Sequence, residues 1–97
     1  MSFDVNAIRA DFPILSRKVN NKPLIYLDNG ASSQKPQVVI DAINTAYSHE
    51  YANVHRGLHY LSNLATEKYE AVRGTVAKFL NVADENDIIM NSGTTEG

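Results

Sequence analysis

The chain reads as an α/β protein on three observations. Apolar stripes at helical spacing alternate with short runs of consecutive apolar residues. Each main run opens at its carboxyl end into a loop of small polar residues. The runs are also too short and too few to form a sheet alone, so they read as members of a larger sheet covered on both faces. The expected object is therefore bigger than these 97 residues, and the chain reads as its beginning.

The elements follow in order. Ser2 and Asp4 are helix-capping types, and Val5, Ile8 and Phe12 share one stripe ahead of Pro13, which predicts a short amphipathic helix at about 4–11. Asn20 and Asn21 before Lys22 and Pro23 predict a turn near 20–22. Leu24, Ile25, Tyr26 and Leu27, bounded by Pro23 and by Asp28, Asn29 and Gly30, predict a buried strand. Pro36 suits the first turn of a helix that runs to about residue 49, with Val39, Ile43, Ala46 and Tyr47 on its inner side. Residues 51–60 lack a sustained period and read as an ordered loop carrying His55 and Arg56.

Ser62 is a good cap for the longest helix, whose stripe is Ala65, Tyr69, Val72, Val76, Phe79 and Leu80. Gly74 inside it costs about 1 kcal/mol against Ala, so a close approach by another element is the expected compensation. After the polar residues 84–87, Ile88, Ile89 and Met90 predict a second buried strand. It leads into Asn91, Ser92, Gly93, Thr94, Thr95, Glu96 and Gly97, a strand turning toward a helix.

Composition removes whole classes of function. Nine Lys and Arg against eleven Asp and Glu give a net charge of −2 with no block of like charge, which disfavours an electrostatic nucleic-acid binder. Hydrophobic residues at 43% and charged residues at 21% match a chain that folds rather than a disordered one. The longest apolar run is four residues, far short of the roughly 20 a membrane helix needs. The start lacks the basic and apolar regions of a secretory leader, so the expected location is cytoplasmic. There is no cysteine, hence no disulfide, thiolate metal site or thiol nucleophile from this chain.

Three places carry candidate chemistry. Ser92, Gly93, Thr94 and Thr95 combine a glycine that lets backbone approach closely with hydroxyls and free N–H groups at a helix start, a phosphate cradle or else only a turn and cap. No Gly-Lys-Ser/Thr sequence supports a nucleotide P-loop. His55 and Arg56 could meet an anionic substrate, Arg56 as a carboxylate fork and His55 as a proton carrier, or simply belong to a surface loop whose arginine pairs with an acid. His55 and His59 are four apart, but Gly57 intervenes and no H-E-x-x-H accompanies them, so no metal site is expected. Gly30 and Ala31, with Asp28, Asn29 and Ser32, either line a site at a strand's carboxyl end or form an Asx-type turn into the next helix.

Four ordered blocks together resemble one family. They are residues 9–17 (Arg9, Ala10, Asp11, Phe12, Pro13 onward), residues 26–36 (Tyr26, Leu27, Asp28, Asn29, Gly30, Ala31 onward), residues 54–59 around His55, Arg56 and Gly57, and Gly93, Thr94, Thr95, Glu96 and Gly97. The pattern is similar to the amino-terminal part of Suf-type cysteine desulfurases, also known as selenocysteine lyases, in the class-V aminotransferase group. The resemblance implies a homodimeric pyridoxal 5'-phosphate enzyme of fold type I, aspartate aminotransferase-like, of which only the N-terminal part is present. Residues 1–22 would be an arm joining the small domain, and 23–97 the beginning of the large cofactor domain.

The resemblance further implies that Gly93, Thr94 and Thr95 hold the cofactor phosphate, and that Gly30, Ala31, His55 and Arg56 stand on the substrate side. The reaction would remove sulfur or selenium from cysteine or selenocysteine, leaving alanine and an enzyme persulfide, for a sulfur-acceptor protein and iron–sulfur cluster assembly. It needs a lysine for the cofactor, an acid for the pyridine nitrogen and a cysteine nucleophile. None of these is identifiable in this chain, which is expected to be inactive alone. One departure is Gly30, where the family usually has Ala. A kynureninase-like enzyme or an aminotransferase shares the cofactor turn, and a small binding module with a closed core is the non-enzymatic alternative.

Overall fold

Asp4 opens the first helix, α1 (Val5–Ala10), its carboxylate accepting the Ala7 amide at 3.1 Å. The computed structural model describes residues 2–54 and 59–97. They fall into two compact units, Met1–His49 and Glu50–Gly97.

In the first unit α1 is followed by a 3₁₀ turn, Pro13–Ser16, which starts at the proline because a missing N–H costs nothing there. Two short antiparallel strands come next, β1 (Lys18–Val19) and β2 (Lys22–Pro23), with Val19 opposite Lys22. Their two-residue connection is Asn20 and Asn21, both at positive φ (52° and 63°), the backbone a twist-matched hairpin turn requires and asparagine tolerates. Residues 24–28 run on without a paired strand, then turn at 29–32 toward α2 (Gln37–Thr45). The first amide of α2, on Gln37, donates to the Asp11 carbonyl at 2.7 Å, tying the helix start to the end of α1. Pro36 sits one residue ahead of the helix rather than in it, and α2 gives way to a π-helical turn, Ala46–Glu50.

The second unit is organised by α3 (Tyr60–Phe79). Its cap is His59, whose side chain accepts the Ser62 amide, so Ser62 stands inside the helix rather than capping it as its residue type suggested. The far end closes with Asn81 at φ 57°, the Asn81 amide on the Lys78 carbonyl and the Val82 amide on the Ala77 carbonyl at 2.8 Å. That pair of bonds is a Schellman closure. A 3₁₀ turn, Glu85–Asp87, packs back on α3, and a Cβ at Gly74 would lie 3.0 Å from Glu85 Oε2. The glycine does admit a close neighbour.

Both buried-strand expectations need correction. Ile25 and Leu27 are 80% and 92% exposed and Ile89 is 80% exposed, while Leu24, Tyr26 and Ile88 are half-buried. Each run is covered on one side only. A strand buried on both faces needs neighbours on both edges and a layer above and below, and among the described residues only β1 and β2 pair. The helix stripes are likewise open: Ile43, Tyr47, Tyr69, Val72 and Phe79 are all exposed.

Ala77 and Ser62 are the only buried residues among those described. The accessible surface is 8,529 Å², whereas even two separate compact bodies of half the mass would together expose about 6,600 Å². Among the described residues no closed core of the kind a self-contained binding module requires is formed. Among the described residues no helix is long and apolar enough to cross a membrane.

Candidate functional site

In the first unit the turn after the extended segment is pinned from inside. The Ala31 and Ser32 amides both donate to the Asp28 carbonyl at 3.1 Å, and Asn29 Oδ1 accepts the Gln34 amide, five residues on, at 3.1 Å, a longer reach than an Asx turn's two residues. The Tyr26 hydroxyl donates to the Ser32 carbonyl at 2.6 Å, fastening the turn to the segment before it. Sequence reasoning took Tyr26 only as a member of an apolar run and missed this role. Its half-buried position beside exposed Ile25 and Leu27 is the alternation that separates them.

Gly30 and Ala31 are exposed on this turn, and a Cβ at Gly30 would meet nothing within 4 Å. An open cavity of about 180 Å³ beside it is lined by Arg9, Phe12, Leu15, Tyr26, Asn29 and Gln34. At that size it falls below the usual small-molecule pocket. It does bring Arg9, from the first block of the resemblance, next to Asn29 from the second.

In the second unit the final bend is built from residues 91–97. Gly93 has φ 155°, and a Cβ there would meet nothing within 4 Å, so the approach to its backbone is clear. Its amide donates to Asn91 Oδ1 at 3.0 Å, and the Gly97 amide donates to its carbonyl at 3.1 Å. That last bond closes one helical turn, which leaves the Thr94, Thr95 and Glu96 amides as first-turn donors with no intrahelical partner. Among the described residues neither the amides nor the hydroxyls of Thr94 and Thr95 make a hydrogen bond.

Glu96 Oε2 accepts the Ser92 amide at 2.8 Å and also the Ser92 hydroxyl. Those two bonds, the hydroxyl's first, hold the Glu96 carboxyl below the usual carboxylate range although it is fully exposed. The Ser92 donors are thus taken by Glu96, while those of Thr94 and Thr95 make no hydrogen bond among the described residues. A phosphate has the acceptors and the charge to use them.

His55 and Arg56 lie outside the described residues. Gly30 and Ala31 belong to the first unit and Gly93, Thr94 and Thr95 to the second. Among the described residues no group of three His, Cys, Asp or Glu side chains is placed to hold a metal ion. A larger hollow of about 360 Å³ under the end of α3, between Gly74, Lys78, Val82 and Asp84, contains none of the candidate residues.

The first unit thus holds a half-covered apolar segment leading to a pinned small-residue turn, and the second a half-covered apolar segment leading to a bend with unpaired threonine donors among the described residues. The chain belongs to the class-V aminotransferase family, whose profile matches residues 25–97 and so takes in every candidate residue. It is 53% identical over its whole length to a cysteine desulfurase of Klebsiella pneumoniae subsp. pneumoniae, and 54% identical to one of Escherichia coli O1:K1 / APEC. It is also 53% identical, over 97% of its length, to a probable cysteine desulfurase of Mycolicibacterium paratuberculosis. The chain spans 24% of the first two relatives and 14% of the third.

Proposed function

We propose that this chain is the amino-terminal part of a pyridoxal 5'-phosphate-dependent cysteine desulfurase of the Suf type and fold type I, with 1–22 as the arm to the small domain and 23–97 as the start of the cofactor domain. The observation that carries the reading is the bend at 92–97, whose Thr94 and Thr95 donors are unpaired among the described residues and whose neighbouring donors hold a carboxylate. The family match and the desulfurase relatives support it.

In this reading Gly93 gives access while the Thr94 and Thr95 amides and hydroxyls bind the cofactor phosphate and fix its position. When bound, pyridoxal phosphate supplies an electron sink for breaking bonds at the amino-acid α-carbon. Gly30 and Ala31 form the wall that the pinned turn presents to the substrate, Arg56 orients the substrate carboxylate and His55 carries a proton. The substrate is cysteine or selenocysteine and the product alanine, with sulfur passed to an acceptor protein in iron–sulfur cluster assembly. The complete enzyme is a homodimer in the cytoplasm.

Because the chain contains no cysteine, the sulfur-accepting nucleophile belongs to another part of the protein. The test is to mix the purified 97-residue chain with pyridoxal phosphate and cysteine, and in parallel to assay a complete enzyme beginning with this sequence. The chain alone is expected to yield no steady alanine and the complete enzyme to yield it. In the complete enzyme, replacing Thr94 and Thr95 by Ala is expected to weaken cofactor retention about 10- to 100-fold, the loss of one to two hydrogen bonds to a charged group. Unchanged cofactor affinity in the double variant would overturn the assignment of the bend.

A further inference from the structure

Asn29 is the one asparagine in the chain that a glycine follows, and Gly30 is the departure from the desulfurase pattern, which usually has Ala. The pair carries chemistry of its own. The backbone nitrogen after an asparagine can reach the side-chain amide carbon and close a five-membered ring, and the chief obstacle is the Cβ of the residue that supplies the nitrogen. Glycine has none.

Nothing at this turn replaces that obstacle. Both residues are exposed, and a Cβ built on Gly30 would meet nothing within 4 Å. Ala31 and Ser32 commit their amides to the Asp28 carbonyl, whereas among the described residues the Gly30 amide and Asn29 Nδ2 make no hydrogen bond. The attacking nitrogen and the leaving group are therefore both open to water. The carbon between them is polarised, because the Gln34 amide donates to Asn29 Oδ1 at 3.1 Å. That bond draws electron density from Cγ and offsets the charge that collects on Oδ1 during attack, as an oxyanion donor does.

Asn91 supplies the internal contrast. Its Oδ1 also accepts an amide, that of Gly93 at 3.0 Å, but the nitrogen that would attack its Cγ belongs to Ser92. Ser92 has a Cβ, and its N–H is held by Glu96 at 2.8 Å.

We propose that Asn29 and Gly30 form a site of spontaneous deamidation, at which the turn modifies itself with water as the co-reactant. Base removes the Gly30 amide proton, and that nitrogen attacks Asn29 Cγ. The new N–C bond forms as the Cγ–Nδ2 bond breaks, and Nδ2 leaves as ammonia. Water then opens the cyclic imide at either carbonyl, with no oxidation or reduction. One opening gives aspartate at 29. The other gives an isoaspartyl link, which routes the main chain through Cβ and Cγ and lengthens it by one carbon. Both products bring a negative charge to the hollow that Asn29 lines together with Arg9. Any consequence for substrate rests on the function proposed above; the modification itself does not.

The experiment holds the purified 97-residue chain at pH 8.5 and at pH 6 and follows each asparagine by peptide mapping with tandem mass spectrometry. At pH 8.5 position 29 is expected to convert to the aspartyl and isoaspartyl forms about tenfold faster than position 91, a barrier lower by about 1.4 kcal/mol, and faster than at pH 6. Gly30→Ala introduces a Cβ and is expected to slow conversion at 29 by about the same factor while leaving position 91 unchanged. Urea removes the Gln34 bond and keeps the sequence, so conversion at 29 is expected to be slower there than in buffer. Conversion at 29 no faster than at 91, a Gly30→Ala chain that converts like the wild type, or conversion in urea as fast as in buffer or faster would each overturn the proposal. No cofactor or substrate enters this measurement, so its failure and a failure of the enzymatic reading are distinguishable.

Discussion

Two glycines stand in the candidate loops, and replacing each by alanine is expected to have opposite consequences. Gly93 is the one glycine at positive φ among those described, so Gly30 lies in backbone that alanine adopts, and a Cβ there meets nothing within 4 Å. Gly30→Ala therefore adds no clash and removes freedom from the unfolded chain, a gain of about 0.4–1 kcal/mol. For a domain of about 100 residues that is a rise in Tm of roughly 2–8 °C. Gly93 also has open space around it, but its φ of 155° is one that side chains rarely adopt, and holding alanine there costs about 1–3 kcal/mol. Because the bend is exposed, the cost is expected to appear as local loosening and weaker phosphate binding rather than as a large fall in Tm. Thermal unfolding followed by circular dichroism, with phosphate titrated against the amides of 92–96 by NMR, measures both. A fall in Tm for Gly30→Ala would refute the reasoning, because it would mean that the turn at 29–32 requires glycine after all.

Asn81 closes α3 at φ 57°, so Asn81→Ala is expected to cost about 1 kcal/mol in urea unfolding and Asn81→Gly to cost nothing or stabilise slightly. The Glu96 carboxyl is held low by Ser92, so its contact contributes above the carboxyl's unfolded-state pKa and is lost as pH falls through the lowered value. Carboxyl NMR should show Glu96 titrating below the usual glutamate range, and Ser92→Ala should move its midpoint upward. Ser62→Ala exchanges a hydroxyl bonded to the Asn53 carbonyl for a slightly better helix former, and a net loss near 1 kcal/mol by denaturant titration is the expected balance.

What the sequence made legible was local. Asp4 caps α1, the asparagine pair makes the hairpin turn, α3 follows its stripe to Phe79, and Gly74 meets Glu85, each because the deciding interaction spans only a few residues or one neighbouring turn. The apolar runs at 24–27 and 88–90 predict burial because such runs report the surroundings for which they suit, and the described residues cover one side of each. The cap of α3 departs from the expected Ser62 for a different reason. Ser62 and His59 can both accept an amide proton, and only the backbone geometry decides that His59 does so while Ser62 donates. Nor could periodicity reveal that Tyr26 reaches forward to fasten the turn, because its partner is a carbonyl.

The segment at 24–28 is paired in no strand, and its apolar side chains Ile25 and Leu27 are exposed. Such an edge is a template for any other extended chain, including another copy of itself. Prepared alone, the polypeptide should therefore self-associate steeply with concentration, and handling it will call for dilution, low temperature or a mild solubilising partner.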